Sequence, residues 1–251
     1  MTNKSTNPWF STQPKPHAKL RLFCVPYAGG GNWIFQTWMK SLPESVEVRP
    51  IQLPGRGPRI KDPLFRQLVP FAEAIAEGIL SDCNRPFAFF GHSMGAMLSF
   101  EIARYLRRAY QIKPVRLFVA GRRAPQIPDT DPPSYNLPES EFIEELRRIK
   151  GTPNEVLEHP ELMQMMIPIL RSDFEVCQTY ECIPDRPLDC PISAFGGLED
   201  DEETRERIEP WREQTTNSFS LHMLPGDHFF LHTSESLLLR LLSEQLRELV
   251  A

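Results

Sequence analysis

Short hydrophobic runs alternate along the chain with amphipathic segments, and this alternation is the first structural signal. Buried strands are predicted where the apolar character is nearly continuous, over residues 21–30, 46–57, 85–93, 115–125, 190–197 and 218–226. Helical spacing of apolar residues predicts helices over residues 68–82, 94–110 and 233–250. Strands buried on both faces and separated by helices indicate an α/β fold, in which helices flank a mostly parallel central sheet.

The alternation of strands and helices breaks once, between the fourth and fifth predicted strands. Residues 126–186 hold polar, proline-rich stretches and two or three helical patterns, with no convincing strand. An insertion of this length at the strand ends favours a helical lid, with an ordinary long crossover as the alternative. We therefore predict one domain over residues 19–251 with this lid inserted, after a flexible tail over residues 1–18.

Composition narrows the class of protein without changing this picture. The 251 residues are 41% hydrophobic and 24% charged, which suits one globular core. A net charge of −5 argues against nucleic acid as a partner. The polar N-terminus lacks a secretory signal, no apolar run is long enough to span a membrane, and the five cysteines lack disulfide-framework spacing. We predict a cytoplasmic monomer that binds neither nucleic acid nor membranes.

Unusual residues cluster where the predicted strands end. These ends read YAGGG, LPGRG, GHSMG, GRRAP, GGLED and PGDHF in chain order. Binding and catalytic sites of open α/β sheets form outside the carboxyl ends of the strands. The sequence therefore predicts a site at this edge of the sheet.

Ser93 is the candidate nucleophile, because residues 91–95, GHSMG, have the G-x-S-x-G spacing. A serine hydroxyl attacks poorly until a base takes its proton. In a nucleophile elbow the serine occupies a strained strand-to-helix turn, and the flanking glycines let neighbouring segments come close. Apolar FAFF before the motif and helical MGAMLSFEIA after it supply this context, which favours a nucleophile over a structural serine.

A catalytic serine of this kind is followed by an acid and then by a histidine. His228 follows the last predicted strand in a glycine-turned loop, where its imidazole can face the serine, and His232 is the alternative. The acid is expected after the preceding strand, in the acidic run of residues 194–203. Asp200 is the first candidate by position and Asp201 the alternative. The acid would hold the histidine tautomer and stabilise its imidazolium form.

An oxyanion hole completes such a site with two backbone N–H donors. The predicted donors are Met94, directly after the serine, and Ala28, in the loop YAGGG. The competing interpretation of that loop is phosphate binding, but it lacks the P-loop lysine, and Ile34 stands where G-x-G-x-x-G requires its third glycine. We therefore predict no nucleotide, metal or other cofactor bound by the chain itself.

Beyond residue 18, nearly the whole chain resembles the stand-alone type II thioesterases of nonribosomal peptide and polyketide synthesis, within the α/β-hydrolase superfamily. The resemblance rests on FCVPYAGGG, IQLPGRG, FFGHSMGA, AGRRAP, GTPNEVLEHPELMQMMIPILRSDF, ISAFGGLED with WREQT, and LPGDHFFL. It implies that Ser93, Asp200 and His228 form the catalytic triad, with Ala28 and Met94 as oxyanion donors.

Two positions depart from the family's pattern. Asp201 stands where the family often has proline, so the choice between the two aspartates stays open at this point. Ser172 stands where the lid segment usually has alanine, and this change has no obvious consequence.

The resemblance also implies a substrate and a partner. The substrate is an acyl group held as a thioester on the phosphopantetheine arm of an acyl or peptidyl carrier protein, and small acyl thioesters would react as well. Such enzymes remove wrong or stalled acyl groups from synthases. Three alternatives remain: a medium-chain fatty-acyl thioesterase or general esterase, an acyltransferase or cyclase, and a non-catalytic binding protein on the same scaffold.

Two surfaces follow as hypotheses about this substrate. An adaptable acyl chamber would be lined by apolar residues of the lid, or these residues would only pack the lid on the core: Met163, Met165, Met166, Ile167 and Leu170. An acidic carrier would dock on basic residues near the site, where the sequence offers Arg122, Arg123, Arg147, Arg148 and Lys150.

Overall fold

A computed structural model describes residues 7–250, and its centre is a six-stranded sheet. Neighbouring strands are all parallel, in the order β2-β1-β3-β4-β5-β6. The strands are β1 (Leu20–Val25), β2 (Val46–Pro50), β3 (Phe87–His92), β4 (Arg116–Ala120), β5 (Ile192–Gly197) and β6 (Phe219–Leu224). Each lies within one of the predicted runs or starts one residue before it, so the predicted parallel sheet is confirmed.

Helices follow in chain order around the sheet. They are α1 (Trp38–Ser41), α2 (Leu68–Ile79), α3 (Met94–Tyr110), α4 (Glu139–Ile149), α5 (Asn154–Leu157), α6 (Pro160–Gln178), α7 (Arg205–Ile208), α8 (Phe230–Thr233) and α9 (Glu235–Glu248). Short 3-10 turns cover Asn32–Phe35, Gly57–Arg59, Leu80–Asp82 and Glu209–Gln214. No helix within residues 7–250 is both long enough and apolar enough to cross a lipid bilayer.

Two apolar clusters cover the two faces of the sheet. On one face, Phe23 and Val25 of β1 pack with residues of α2 and α3, such as Ile75. On the other, Leu22 and Cys24 of the same strand pack with residues of α1 and α9. Successive side chains of a strand point to opposite faces, so a strand covered on both sides needs the continuous apolar run seen in the sequence.

The first two strands are shorter than their apolar runs suggested. β1 ends before Pro26, and the following loop turns at Gly29, where φ is +74°. β2 ends at Pro50, and its loop turns at Gly55, where φ is +78°. Glycine adopts this left-handed backbone without steric penalty, so the glycine-rich ends form loops beyond the sheet.

The predicted tail differs from the structure where the chain is described. Residues 1–6 lie outside the described residues, but Trp9 and Phe10 are each only 8% exposed and join the core on the α2 side. Phe10 pairs with Ile51 just after β2, and the guanidinium of Arg59 lies 4.1 Å from the Trp9 ring. The flexible-tail prediction is therefore wrong for this part, because two aromatic side chains bury apolar area there.

The insertion between β4 and β5 is helical, as its sequence suggested. It contains α4, α5 and α6, and no strand is described within residues 126–186. Its helices share an apolar cluster of their own, formed by Phe142, Leu146, Leu157, Met163, Ile167 and Leu170. The insertion is thus a small packed layer at the carboxyl edge of the sheet.

Candidate active site

Ser93 occupies the sharp turn between β3 and α3. Its backbone has φ +54° and ψ −115°, an unfavourable conformation for a residue with a Cβ atom. The turn is held because the Ser93 amide donates a hydrogen bond of 2.8 Å to the carbonyl of Ala120 at the end of β4. Strain of this kind concentrates at functional sites, where the surrounding structure enforces it.

Gly91 and Gly95 are required because backbone passes directly against them. A Cβ atom on Gly91 would lie 2.0 Å from the carbonyl oxygen of Gly95. A Cβ atom on Gly95 would lie 2.1 Å from the carbonyl oxygen of Val25, at the end of β1. Any larger residue would push the start of α3 away from β3 or β1, so both glycines of the motif set the position of the serine.

His228 and Asp200 meet across the ends of β6 and β5. The Nδ1–H of His228 donates a hydrogen bond of 2.8 Å to Oδ2 of Asp200. The other carboxylate oxygen, Oδ1, accepts hydrogen bonds from the amides of Glu202 at 3.1 Å and Glu203 at 2.9 Å. With both oxygens engaged, the carboxylate is fixed and orients the imidazole.

The environment of Asp200 keeps its carboxyl ionised. Burial alone would raise its pKa, but the hydrogen bond and charge of His228, together with the two backbone amides, lower the pKa below its usual value. An anion at this position stabilises the imidazolium that forms when His228 accepts a proton.

The alternative acid and histidine lie in different surroundings. Asp201 is exposed to solvent, whereas Asp200 is 8% exposed. The Nε2 atom of His232 lies 3.0 Å from the hydroxyl of Tyr27, one turn beyond His228. The geometry therefore favours the first candidates over both alternatives.

One cavity of about 260 Å³ contains the predicted site. Ser93, His228, Asp200 and Ala28 all line it. Met94 lies behind the cavity, where its side chain is buried in the core and its amide opens α3. The site residues predicted from the sequence are thus brought together at the carboxyl edge of the sheet.

The predicted oxyanion donors lie on two different segments. The Ala28 amide belongs to the loop after β1, and the Met94 amide belongs to the first turn of α3. Within residues 7–250, neither amide donates to a carbonyl or side chain of the protein. Amides at a helix N-terminus lack intrahelical partners and favour negative charge, which suits a developing oxyanion.

The insertion supplies the roof of the cavity. Leu146 of α4 and Leu170 and Phe174 of α6 line it. Of the five residues suggested for an acyl chamber, Leu170 contacts the cavity, Met163 and Ile167 pack inside the insertion, Met166 packs against its edge, and Met165 is 59% exposed. Of these five residues, the structure therefore places only Leu170 where a residue of an acyl chamber would have to lie.

The basic residues suggested for docking are largely paired with carboxylates. Arg122 and Arg123 form ion pairs with Glu203 at 3.2 and 3.1 Å. Arg147 pairs with Glu144, and Arg148 lies 2.6 Å from Glu202. These pairs reduce the positive charge that the four arginines present, which weakens the docking hypothesis.

Two residues support the site through contacts that the sequence analysis did not predict. Glu203 is buried and accepts the Arg123 amide at 2.7 Å, while its own amide donates to Asp200. His92 is buried beneath the site, and its Nε2–H donates at 2.9 Å to the carbonyl of His228. Both residues brace a triad position. Their place beside the motifs was visible in the sequence, but their contacts were not.

Comparison with known proteins gives a consistent family. The thioesterase domain model matches residues 20–246. The gramicidin S biosynthesis protein GrsT of Aneurinibacillus migulanus is 47% identical, covering 98% of this chain and 96% of its own. The thioesterase RedJ from the prodiginine pathway of Streptomyces coelicolor superposes with a TM-score of 0.85 at 38% identity, covering 91% of each chain.

A further relative carries a different name, linear gramicidin dehydrogenase LgrE of Brevibacillus parabrevis. It is 44% identical, covering 98% of this chain and 95% of its own. Dinucleotide sites present free loop amides to a pyrophosphate. Here the Gly29 amide donates to the carboxylate of Asp173 at 2.7 Å, and the Gly30 amide donates to the carbonyl of Tyr27 at 2.9 Å.

The loop after β1 therefore uses its Gly29 and Gly30 amides within the protein, and the Asp173 carboxylate beside them would repel a phosphate. The loop lies beside the strained turn of Ser93, as the predicted hydrolase site requires. The family model and the thioesterase RedJ agree with this chemistry, and the chain belongs to the thioesterase family of the α/β-hydrolase fold and is a hydrolytic thioesterase.

Proposed function

We propose that this thioesterase removes acyl groups, including aberrant or stalled ones, from the phosphopantetheine arms of carrier proteins in nonribosomal peptide or polyketide synthesis. Ser93 acts as the nucleophile, His228 as the general base and acid, and Asp200 as the orienting carboxylate. The amides of Ala28 and Met94 bind the oxyanion. The observation that carries these roles is the His228–Asp200 hydrogen bond of 2.8 Å at the cavity that Ser93 lines.

Acylation begins when Oγ of Ser93 attacks the thioester carbonyl carbon. Nε2 of His228 takes the hydroxyl proton, and the carbonyl oxygen becomes an oxyanion between the two amides. When the tetrahedral intermediate collapses, the C–S bond breaks and the imidazolium returns its proton to the departing sulfur. The products are an acyl-serine and the free thiol of the arm.

Deacylation repeats the same steps with water. His228 takes a proton from a water molecule, which attacks the acyl-serine carbonyl carbon. Collapse of the second intermediate breaks the C–O bond and returns the proton to Oγ of Ser93. Acid and regenerated enzyme are released, and this chemistry needs no cofactor beyond the arm that carries the substrate.

The nature of the relatives supports a carrier-borne substrate. GrsT belongs by name to gramicidin S biosynthesis and RedJ to prodiginine biosynthesis. A phosphopantetheine arm is long and narrow, and the cavity roofed by α4 and α6 suits such a substrate. We accordingly interpret residues 126–186 as a lid on a single domain, and acyl or peptidyl carrier proteins as the partners.

The cellular setting is a further part of the proposal. All five cysteines are free in the described structure, which agrees with a reducing compartment. We propose that the protein acts in the cytoplasm, as a monomer.

The test compares acyl-carrier proteins with small thioesters of the same acyl groups. The proposal predicts a higher kcat/KM for the carrier-bound substrates, with short and aberrant acyl groups cleaved readily, and complete loss of turnover in Ser93→Ala. Equal kcat/KM for both substrate forms would contradict a carrier partner. Release of only medium-chain fatty acids would favour the fatty-acyl thioesterase alternative.

A further inference from the structure

Helix α6 of the insertion contacts the loop after β1, residues 26–31, through a buried carboxylate. This loop contains Ala28 and is called the oxyanion loop below. Asp173 is only 2% exposed, and its Oδ2 atom accepts the amide proton of Gly29 at 2.7 Å. Gly29 directly follows Ala28, the proposed oxyanion donor, and lies 144 positions from Asp173 along the chain. A side chain of the insertion thus holds the peptide next to the donor.

Arg56 completes this contact from the loop after β2. It is 4% exposed and forms an ion pair with Asp173. Its Nε–H donates to the carbonyl of Gly30 at 2.6 Å, and a terminal N–H donates to the carbonyl of Pro54 at 2.8 Å. Burial lowers the pKa of Arg56 to about 10, so the guanidinium is still charged at neutral pH.

The ion pair therefore binds the loop at two successive glycines: Asp173 accepts from the amide of Gly29, and Arg56 donates to the carbonyl of Gly30. Consecutive glycines give a loop many accessible conformations, so the direction of the neighbouring Ala28 amide must be set from outside. Leu170, one turn before Asp173 on α6, also packs there, because a Cβ atom on Gly29 would lie 2.5 Å from its side chain. Both restraints come from the same helix.

We propose that Asp173 and Arg56 are positioning residues that align the Ala28 amide only while α6 packs against the oxyanion loop. The position of the insertion would then control the oxyanion hole. This inference rests on the proposed role of Ala28. A buried ion pair is weak evidence for stability, because desolvation offsets most of its attraction. A role in fixing one loop conformation accounts for its location, where three separate segments meet.

A second buried ion pair offers a matched control. Arg21 and Glu47 lie 2.8 Å apart, with side chains 5% and 3% exposed. They join β1 and β2 at positions paired in register, near the opposite end of the sheet from the catalytic loops. Removal of either carboxylate takes the nearest acidic partner from a buried arginine, although Arg21 keeps Asp82 at 3.6 Å. Only one of the two carboxylates touches the oxyanion loop.

The experiment compares Asp173→Asn with Glu47→Gln on a small acyl thioester. For each folded variant it measures kcat, KM and the inhibition constant of an alkylboronic acid, whose tetrahedral adduct with serine mimics the intermediate. We expect Asp173→Asn to lower kcat by ~10- to 100-fold, within the effect of losing one oxyanion donor. KM should change by less than about threefold, and boronate binding should weaken in parallel with kcat. Glu47→Gln should keep kcat within about twofold, although its melting temperature falls.

Equal kcat and boronate affinity in the two variants would overturn the proposal, as would a loss confined to KM. If Asp173→Asn does not fold, Arg56→Gln combined with Asp173→Asn leaves no unpaired charge and should show the same loss of kcat. Ser93→Ala separates this inference from the proposed function. If it is inactive while the Asp173 variants turn over normally, only the positioning role fails.

Discussion

Replacement of Gly95 by alanine tests whether close packing at the elbow sets the oxyanion hole. The added Cβ atom would lie 2.1 Å from the carbonyl oxygen of Val25, 2.7 Å from its carbonyl carbon and 2.8 Å from the carbonyl oxygen of Pro26. These atoms are backbone, so no side-chain rotation relieves the contact. Restoring van der Waals distance requires a separation of about 1 Å between α3 and the end of β1.

That separation acts directly on the two proposed oxyanion donors. Met94 precedes Gly95 at the start of α3, and Ala28 follows Pro26 after the end of β1. A displacement of ~1 Å at a catalytic site lowers the rate about 100-fold, and overpacking destabilises a fold by about 1–3 kcal/mol. Gly95→Ala should therefore fold with a lower melting temperature and lose about 100-fold in kcat.

The assay is thiol release from a small acyl thioester, with kcat and KM measured at a temperature where circular dichroism shows the variant folded. Ser99→Ala is the matched control, because Ser99 lies one turn further along α3 and its buried hydroxyl has no partner among the described groups. It should keep wild-type kcat. Wild-type kcat in a folded Gly95→Ala variant would refute the reasoning.

Three further predictions follow from the groups that brace the triad. Asp200→Asn should lower kcat by about 10⁴-fold at neutral pH, since the imidazole loses its orienting anion, and steady-state kinetics on the folded variant checks this. Glu203→Gln leaves Arg123 without its buried partner and should reduce the unfolding free energy by about 3 kcal/mol in urea titrations. Burial lowers the pKa of His92, so the unfolded chain binds a proton as pH falls below about 6.5 while the native state does not. The unfolding free energy should therefore fall by up to about 1.4 kcal/mol per pH unit for this group. Burial lowers the pKa of His222 and His232 as well, so they act in the same direction. Between pH 7 and 5.5, urea titrations should show a smaller loss of unfolding free energy for His92→Gln than for the wild type.

Local patterns of the sequence predicted the sheet and the elbow well. Buried strands need continuous apolar runs, and a strand followed at once by an amphipathic helix forces a sharp turn at Ser93. His228 and Asp200 could be named because parallel strands bring their carboxyl ends to one edge. These inferences depend on periodicity and chain order, both of which a sequence displays.

Contacts between distant charged residues could not be predicted. The pairs Arg56–Asp173 and Arg123–Glu203 join residues 117 and 80 positions apart. The charges around each arginine in the sequence do not indicate which distant carboxylate it meets. The same limit explains why the sequence suggested four arginines for docking without showing that each lies beside a carboxylate. Trp9 was missed because a short aromatic pair in a polar, proline-containing segment has no periodicity to mark it as core.

The central claim is that Ser93 accepts the acyl group of a thioester. The most direct measurement is mass spectrometry of the protein, quenched in acid within the first turnovers on an acyl thioester. The account predicts one added acyl group, located on the peptide that contains Ser93, and no adduct or hydrolysis in Ser93→Ala. An adduct on another residue, or hydrolysis at the wild-type rate in Ser93→Ala, would contradict it.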